Sequence, residues 1–192
     1  SREKDIKISE ELINKLSDRK TGAGCDQLIT INKSVSGEDV KIDIYNPNGD
    51  RAEACGNGTR CVAKLLFEEK FLIFPDLRKT EPTIKILSDA GVLEAKYNNN
   101  GLISVNLGKL STDWRKIPLV RKMDTLNIPI ELDGFSKGVA VNIGNPHVVF
   151  FGSNIKNFDL NYHGPIIENH EFFINKTNEE IEEIVNKNKI SM

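Results

Sequence analysis

The stretch from Val40 to about Lys70 constrains the fold most. Val40, Ile42 and Ile44 alternate with Lys41, Asp43 and Tyr45, which is the period-two pattern of a half-buried strand. The strand must stop at Asn46-Pro47-Asn48-Gly49-Asp50, where almost every residue favours a turn. A glycine-rich segment, Gly56-Asn57-Gly58, then opens a helix expected from Thr59 to about Lys70, with Val62, Leu65 and Leu66 on one side. A strand, a turn and a helix thus follow one another within about thirty residues.

The flanking sequence extends the pattern. Ser9 is placed to cap a helix whose first turn holds Glu10 and Glu11 and whose apolar face holds Leu12, Ile13 and Leu16. The turn Thr21-Gly22-Ala23-Gly24 leads to a strand from Gln27 to Ile31. Three further strands are expected at Thr83–Leu87, Val92–Tyr97 and Leu102–Leu107, the last pair joined by the hairpin signal Asn100-Gly101. Residues 108–118 lack periodicity and read as a crossover. Beyond it, Gly138–Ile143 and His147–Phe151 read as strands around Gly144-Asn145-Pro146. Glu179–Val185 suits either a helix after Thr177 or a strand turning at residues 186–189, and the strand is preferred. The class is therefore α+β, with more strand than helix and a boundary near 110–115.

Composition narrows the function. Twenty-six basic and 28 acidic residues give a formal charge of -2, so no nucleic-acid footprint is present. No apolar run approaches the roughly 20 residues that span a bilayer, and the charged start, Ser1 to Asp5, lacks the apolar centre of a signal peptide. Three cysteines, Cys25, Cys55 and Cys61, are too few for a disulfide scaffold and lack a Cys-x-x-Cys spacing. The chain reads as cytoplasmic, with neither membrane nor nucleic acid as a partner.

The segment Ala54-Cys55-Gly56-Asn57-Gly58-Thr59-Arg60-Cys61 carries the chemistry. A helix N-terminus presents unpaired N–H groups and a partial positive charge, which favour the thiolate of a nearby cysteine. The same groups cradle an anion such as a substrate carboxylate, and Gly56 and Gly58 permit close approach. The bland alternative is a small residue packed beside a tight turn. Cys61, further along the helix, and Cys25 both read as packing residues. A thiolate beside a carboxylate cradle suits acyl transfer with a histidine base, or removal of the α-proton of an amino acid.

These residues resemble a known family. Asn46 with its loop, together with residues 54–61, resembles the first active-site segment of diaminopimelate epimerases. Residues 22–27, Gly-Ala-Gly-Cys-Asp-Gln, resemble their Gly-x-Gly-x-Asp-Gln segment, and residues 144–147 match their Gly-Asn-Pro-His element. Gly164 to Glu168 and Asn178 fit later positions in the right order. The resemblance implies two similar halves, 1–112 and 113–192, each a mainly antiparallel sheet wrapped around a central helix, with the second half incomplete. It implies a site between the halves, one cysteine from each, no pyridoxal phosphate or other cofactor and no metal. A homodimer is an allowed assembly. The reaction is the interconversion of LL- and meso-diaminopimelate, the small-molecule partner, on the route to lysine and peptidoglycan.

Carried across by resemblance, Cys55 is one acid/base and His147 orients or helps activate it. The backbone of Gly56 and Asn57 binds the reacting carboxylate. Gln27, Asn46, Asn145 and Asn178 bind the substrate's polar groups, including those at its distal end. Each polar residue also has an ordinary role open to it: Asn46 and Asn145 in turns, Gln27 on a strand surface, His147 as a hydrogen-bonded core or surface histidine.

The resemblance departs at three places. The family's opening His-Gly-x-Gly-Asn-Asp-Phe strand has no counterpart, and its x-Asp-Gly-Ser loop is Pro47-Asn48-Gly49-Asp50 here. Its Glu-Arg-Gly and second Cys-Gly-x-Gly segments would follow Met192. The chain is therefore expected to represent part of a longer two-domain enzyme, leaving apolar surface and sheet edges uncovered. Three other readings stay open: another cofactor-free racemase or isomerase of the same fold, a non-catalytic amino-acid-binding protein, and a hydrolase using Cys55 and His147.

Overall fold

Among the described residues the chain forms three helices and ten strands. The computed structural model describes residues 7–192, apart from the side chains of Pro75, Leu77 and Arg78. The charged start, Ser1 to Asp5, lies outside the described residues. Contacts divide the chain into two units, one ending at Gly108 and the other beginning at Lys109.

The first unit holds α1 (Glu10–Ser17), β1 (Leu28–Asn32), β2 (Val40–Tyr45), β3 (Arg51–Ala52), α2 (Gly56–Ile73), a 3-10 turn (Pro75–Thr80), β4 (Thr83–Ser88), β5 (Gly91–Tyr97) and β6 (Ile103–Asn106). The sheet order is β1-β2-β4-β5-β6, with β3 also on β2. All its pairs are antiparallel except β2 with β4, the two strands joined through α2. The helix buries Val62, Ala63, Leu66, Phe67 and Phe71 against Val40, Ile42, Ile44, Ile84, Ile86 and Ala95. Ile29 and Ile31 of β1, and Ile103 and Val105 of β6, pack on the same cluster, so the sheet wraps around α2 as expected. Full burial of one such side chain contributes roughly 1.5–3 kcal/mol, so this seam dominates the unit's stability.

Several local expectations are corrected. The helix begins at Gly56, three residues before Thr59, and continues to Ile73. Leu65 is 45% exposed, because the buried positions follow Val62, Ala63, Leu66 and Phe67. Cys61 is exposed rather than core. In α1 the buried residues are Ile13 and Ser17, while Leu12 faces outward. Asp43, placed by alternation on an open face, is buried among polar partners.

The second unit contains β7 (Val139–Asn142), β8 (Pro146–Phe151), a 3-10 turn (Ile155–Asn157), α3 (Leu160–Glu168), β9 (Asn178–Asn186) and β10 (Lys189–Ser191). Its sheet order is β10-β9-β8-β7, antiparallel except for β8 with β9. The tail is thus strand, as preferred. Val148 and Phe150 of β8, Ala140 of β7 and Ile167 of α3 pack with Ile117, Leu119, Ile128, Ile130 and Phe173. The two sheets share a connection: an antiparallel hairpin, a crossover through a helix to a parallel strand, and a second hairpin. No helix among the described residues is long and apolar enough to cross a membrane.

Candidate active site

Cys55 is the N-cap of α2. Its backbone is extended, with φ -149° and ψ 102°, and its Sγ accepts the N–H of Gly58 at 3.2 Å. The carbonyl of Cys55 accepts from the Thr59 N–H at 2.9 Å and from its hydroxyl at 2.8 Å. Thr59 is fully buried, so the first turn is pinned from beneath while the sulfur stays half-exposed. Serine, threonine, aspartate and asparagine are the usual caps, and a neutral thiol is a weaker acceptor. A thiolate in this position meets both the N–H of Gly58 and the positive end of the helix.

The two helix-start glycines differ. A Cβ on Gly58 would lie 2.5 Å from Cδ1 of Ile29 and 3.3 Å from the Cys55 sulfur, so packing itself requires a small residue. A Cβ on Gly56 would meet only the Leu107 side chain, at 3.4 Å, an ordinary contact. Packing within the first unit therefore does not by itself demand glycine at position 56. Asn57 is exposed, and its side-chain oxygen accepts from Arg60.

The loop before Cys55 is held at both ends. Asn46 donates its N–H to Asp50 O at 2.8 Å and accepts from the Gly49 N–H at 2.9 Å, closing the turn with its backbone. Its side-chain oxygen accepts from Gln27 Nε2 at 3.2 Å. The structure thereby brings Gln27 and Asn46 together, half-buried, although 19 residues separate them. On β3, Arg51 reaches Asp43 at 2.6 Å and Asp89 at 2.8 Å, and the Ala90 N–H donates to Glu53 O at 3.1 Å. Burial pushes the Asp43 carboxyl up, but the Arg51 and Lys41 cations outweigh it and hold it below the ordinary carboxylate value. The chain from Asn46 to Cys55 is thus tied to β2 and to the turn between β4 and β5.

The remaining candidates lie in the second unit. Gly144, at φ +109°, makes the turn that an L side chain would strain, and Asn145 follows it. His147 and Asn178 face each other in the parallel β8–β9 register. Asn178 Nδ2 donates to Pro146 O at 2.9 Å, and His147 Nε2 lies 2.9 Å from Asn145 Oδ1. Asn145, His147 and Asn178 therefore form one cluster around Pro146. Sequence reasoning missed its fourth member: Glu180 Oε1 lies 2.6 Å from His147 Nδ1. No local signal gives that contact, because it depends on the register of two strands separated by a helix. Beside it, burial pushes the Glu179 carboxyl up, and the charges of Glu168 and Glu180 add to the shift.

The other cysteines have plainer surroundings: Cys25 contacts the Ser17 hydroxyl at 3.5 Å, and Cys61 faces outward. A groove of about 290 Å³ beside Leu66, Lys70 and Ile73 lies along the C-terminal half of α2, away from Cys55. No group of three or more His, Cys, Asp or Glu among the described residues is placed to hold a metal ion.

Comparison with known proteins adds a family. A sequence model described as diaminopimelate epimerase matches residues 2–112. A diaminopimelate epimerase of Pelagibacter ubique is 36% identical over 196 residues, covering 100% of this chain and 68% of the relative. One from Wolbachia sp. subsp. Drosophila simulans is 41% identical, covering 88% of this chain and 61% of the relative. One from Zymomonas mobilis is 34% identical, with 100% and 66% covered. The chain thus spans between 61% and 68% of the length of these three curated relatives. Among solved structures, a hydroxyproline epimerase from Agrobacterium vitis is similar with a TM-score of 0.49 and 15% identity, over 82% of this chain and 42% of that one.

Proposed function

The chain belongs to the diaminopimelate epimerase family, and from that premise we propose that the protein interconverts LL- and meso-diaminopimelate by proton transfer at the α-carbon. Cys55 acts as one acid/base. Its thiolate takes the α-proton, the electron pair of the C–H bond moves toward the substrate carboxylate, and a proton added from the opposite face completes inversion. Two thiols working on opposite faces need no other cofactor, and Cys55 supplies one of them. The Gly56 and Asn57 N–H groups bind the reacting carboxylate, where developing negative charge meets fixed donors.

The observation that carries this reading is the cap: the Cys55 sulfur accepts the Gly58 N–H at the start of an 18-residue helix. His147, in the second unit, is the second residue assigned to the acid–base chemistry. Gln27, Asn46, Asn145 and Asn178 bind the substrate's other ammonium and carboxylate groups, which suits a long substrate polar at both ends.

The test is NMR of LL-diaminopimelate in D₂O with the full-length protein, beside a Cys55→Ala control. Loss of the α-proton signal that depends on Cys55, with appearance of the meso isomer, is the expected result. Binding of diaminopimelate without α-proton exchange would instead identify a binding protein and defeat the proposal.

A further inference from the structure

Glu180 is an unlikely residue for its position on physical grounds. It lies on β9 opposite Val149 of β8 in the parallel register, where glutamate is disfavoured relative to β-branched or aromatic residues. Its side chain is 22% exposed, and Oε2 is buried with no hydrogen-bond partner among the described residues. A buried carboxylate oxygen left without a donor is costly. An apolar side chain would fill the same space without that cost. What the carboxylate supplies is its other oxygen, 2.6 Å from Nδ1 of His147.

We propose that Glu180 is a positioning residue for the epimerase reaction, acting through His147. An ionised carboxylate only accepts hydrogen bonds, so the Glu180 contact places a proton on Nδ1. The ring is then fixed by its register on β8 and by Glu180 at Nδ1; at Nε2 the Asn145 side chain lies 2.9 Å away, its oxygen accepting when the ring carries a second proton and its amide group, turned over, donating when Nε2 is bare. Glu180 thereby sets the tautomer and direction of His147, and it pins Asn145 by the same contact. Asn178 extends the cluster on the other side of Pro146 by donating to the Pro146 carbonyl. His147 and, through it, Asn145 thus depend on one carboxylate, while Asn178 is held separately by the Pro146 carbonyl. This inference rests on the proposed roles of His147 and Asn145.

The test separates the two. The protein has three histidines, so His147→Gln identifies the His147 imidazole signals in ¹⁵N spectra of histidine-labelled full-length protein. The wild type is expected to carry a proton on Nδ1. In Glu180→Leu the ring should turn to the Nε2–H form that free histidine prefers, and kcat/KM for diaminopimelate should fall about 10- to 100-fold, as for a misplaced catalytic group. Thermal unfolding of the same samples checks the fold. Should Glu180→Leu not fold, Glu180→Gln replaces it: the amide offers both a donor and an acceptor to Nδ1, so both tautomers should appear. An Nδ1–H ring that persists unchanged in these variants overturns the inference, as does a wild-type ring protonated on Nε2 alone. A Glu180-dependent tautomer in a protein without epimerase activity would defeat the proposed function and leave the positioning contact standing.

Discussion

Gly58→Ala tests whether the Cys55 sulfur needs its place on the helix end or merely tolerates it. The added methyl would sit 2.5 Å from Ile29 Cδ1, 3.3 Å from Cys55 Sγ and 3.6 Å from Cys55 Cβ. Two stability effects oppose each other. Replacing glycine by alanine in a helix gains up to about 1 kcal/mol, and overpacking costs roughly 1–3 kcal/mol. The clash is with the far end of a flexible side chain, so the net loss should be about 1 kcal/mol, less than 1 M in the urea midpoint at an m-value of roughly 1–3 kcal/mol/M. Activity should suffer more. The sulfur must move a few tenths of an ångström away from the Gly58 N–H, and misplacement of a reacting group by about 1 Å costs on the order of 100-fold. A loss of about tenfold in α-proton exchange is therefore expected. The companion Ile29→Val removes the carbon that the new methyl strikes. The double variant should unfold later than the sum of the two single effects predicts, with a coupling of about 1 kcal/mol, yet remain as slow as Gly58→Ala. Full activity in the double variant would mean that the loss ran through packing and would refute the argument, as would exchange within twofold of wild type in Gly58→Ala alone.

Other substitutions read other parts of the structure. Cys55→Ser installs a preferred cap, so thermal stability should hold or rise while α-proton exchange falls at least about 100-fold, the usual scale of acid–base catalysis; a Ser variant with wild-type exchange would remove Cys55 from the chemistry. Gly22→Ala would place a methyl 2.1 Å from the Lys15 carbonyl and 2.8 Å from that of Leu16, both rigid backbone. Calorimetry should show a loss of about 3 kcal/mol, the upper range for overpacking, and an unchanged melting temperature would show that the α1 turn yields. For Asp43→Asn the sign follows from the depressed carboxyl. The stabilising ion pair is fully present above the unfolded value near 3.9 and is lost as pH falls through the lower folded value. Urea unfolding should therefore find the variant about 2 kcal/mol weaker at pH 7, with the gap closing toward pH 2; a gap that grows on acidification would show that the pair does not favour the charged form.

What the sequence makes legible is local. The alternation at Val40, Ile42 and Ile44 specifies β2 because its period matches the pleat, and Asn46 to Asp50 stops it because the turn chemistry leaves few alternatives. The start of α2 is harder to read. Gly56, Asn57 and Gly58 are poor helix formers and cysteine is not a usual cap, so propensity points to Thr59 while the backbone turns at Gly56. The whole of α3 is concealed for a similar reason, since Gly164-Pro165 inside a nine-residue helix opposes it by propensity. Burial of Ile167 in the second core and the close seating of Gly164 against Glu179 favour it instead. Asp43 and Glu180 were unreadable because their partners are distant in sequence: Asn32 and Arg51 come from neighbouring strands, and His147 lies 33 residues before Glu180. Within the candidate site, residue types were legible and pairings such as Gln27 with Asn46 were not.

The three α-helices among the described residues provide an internal control on what is special about Cys55. Each begins with a side chain that accepts the N–H three residues on: Ser9 from Leu12 at 3.3 Å, Cys55 from Gly58 at 3.2 Å and Asp159 from Tyr162 at 3.1 Å. The backbone device is the same, so the fold alone does not single out α2. Serine and aspartate are what local stability selects for this position, and each satisfies the helix end through oxygen. Sulfur does so less well as a thiol and gains most when it is charged. Of these three caps, Cys55 is also the one whose next residues are Gly-Asn-Gly, a sequence that weakens the first turn by propensity while opening its N–H groups to a visitor. A position where the sequence gives up stability twice, in the cap and in the turn, is where function rather than folding accounts for the residues.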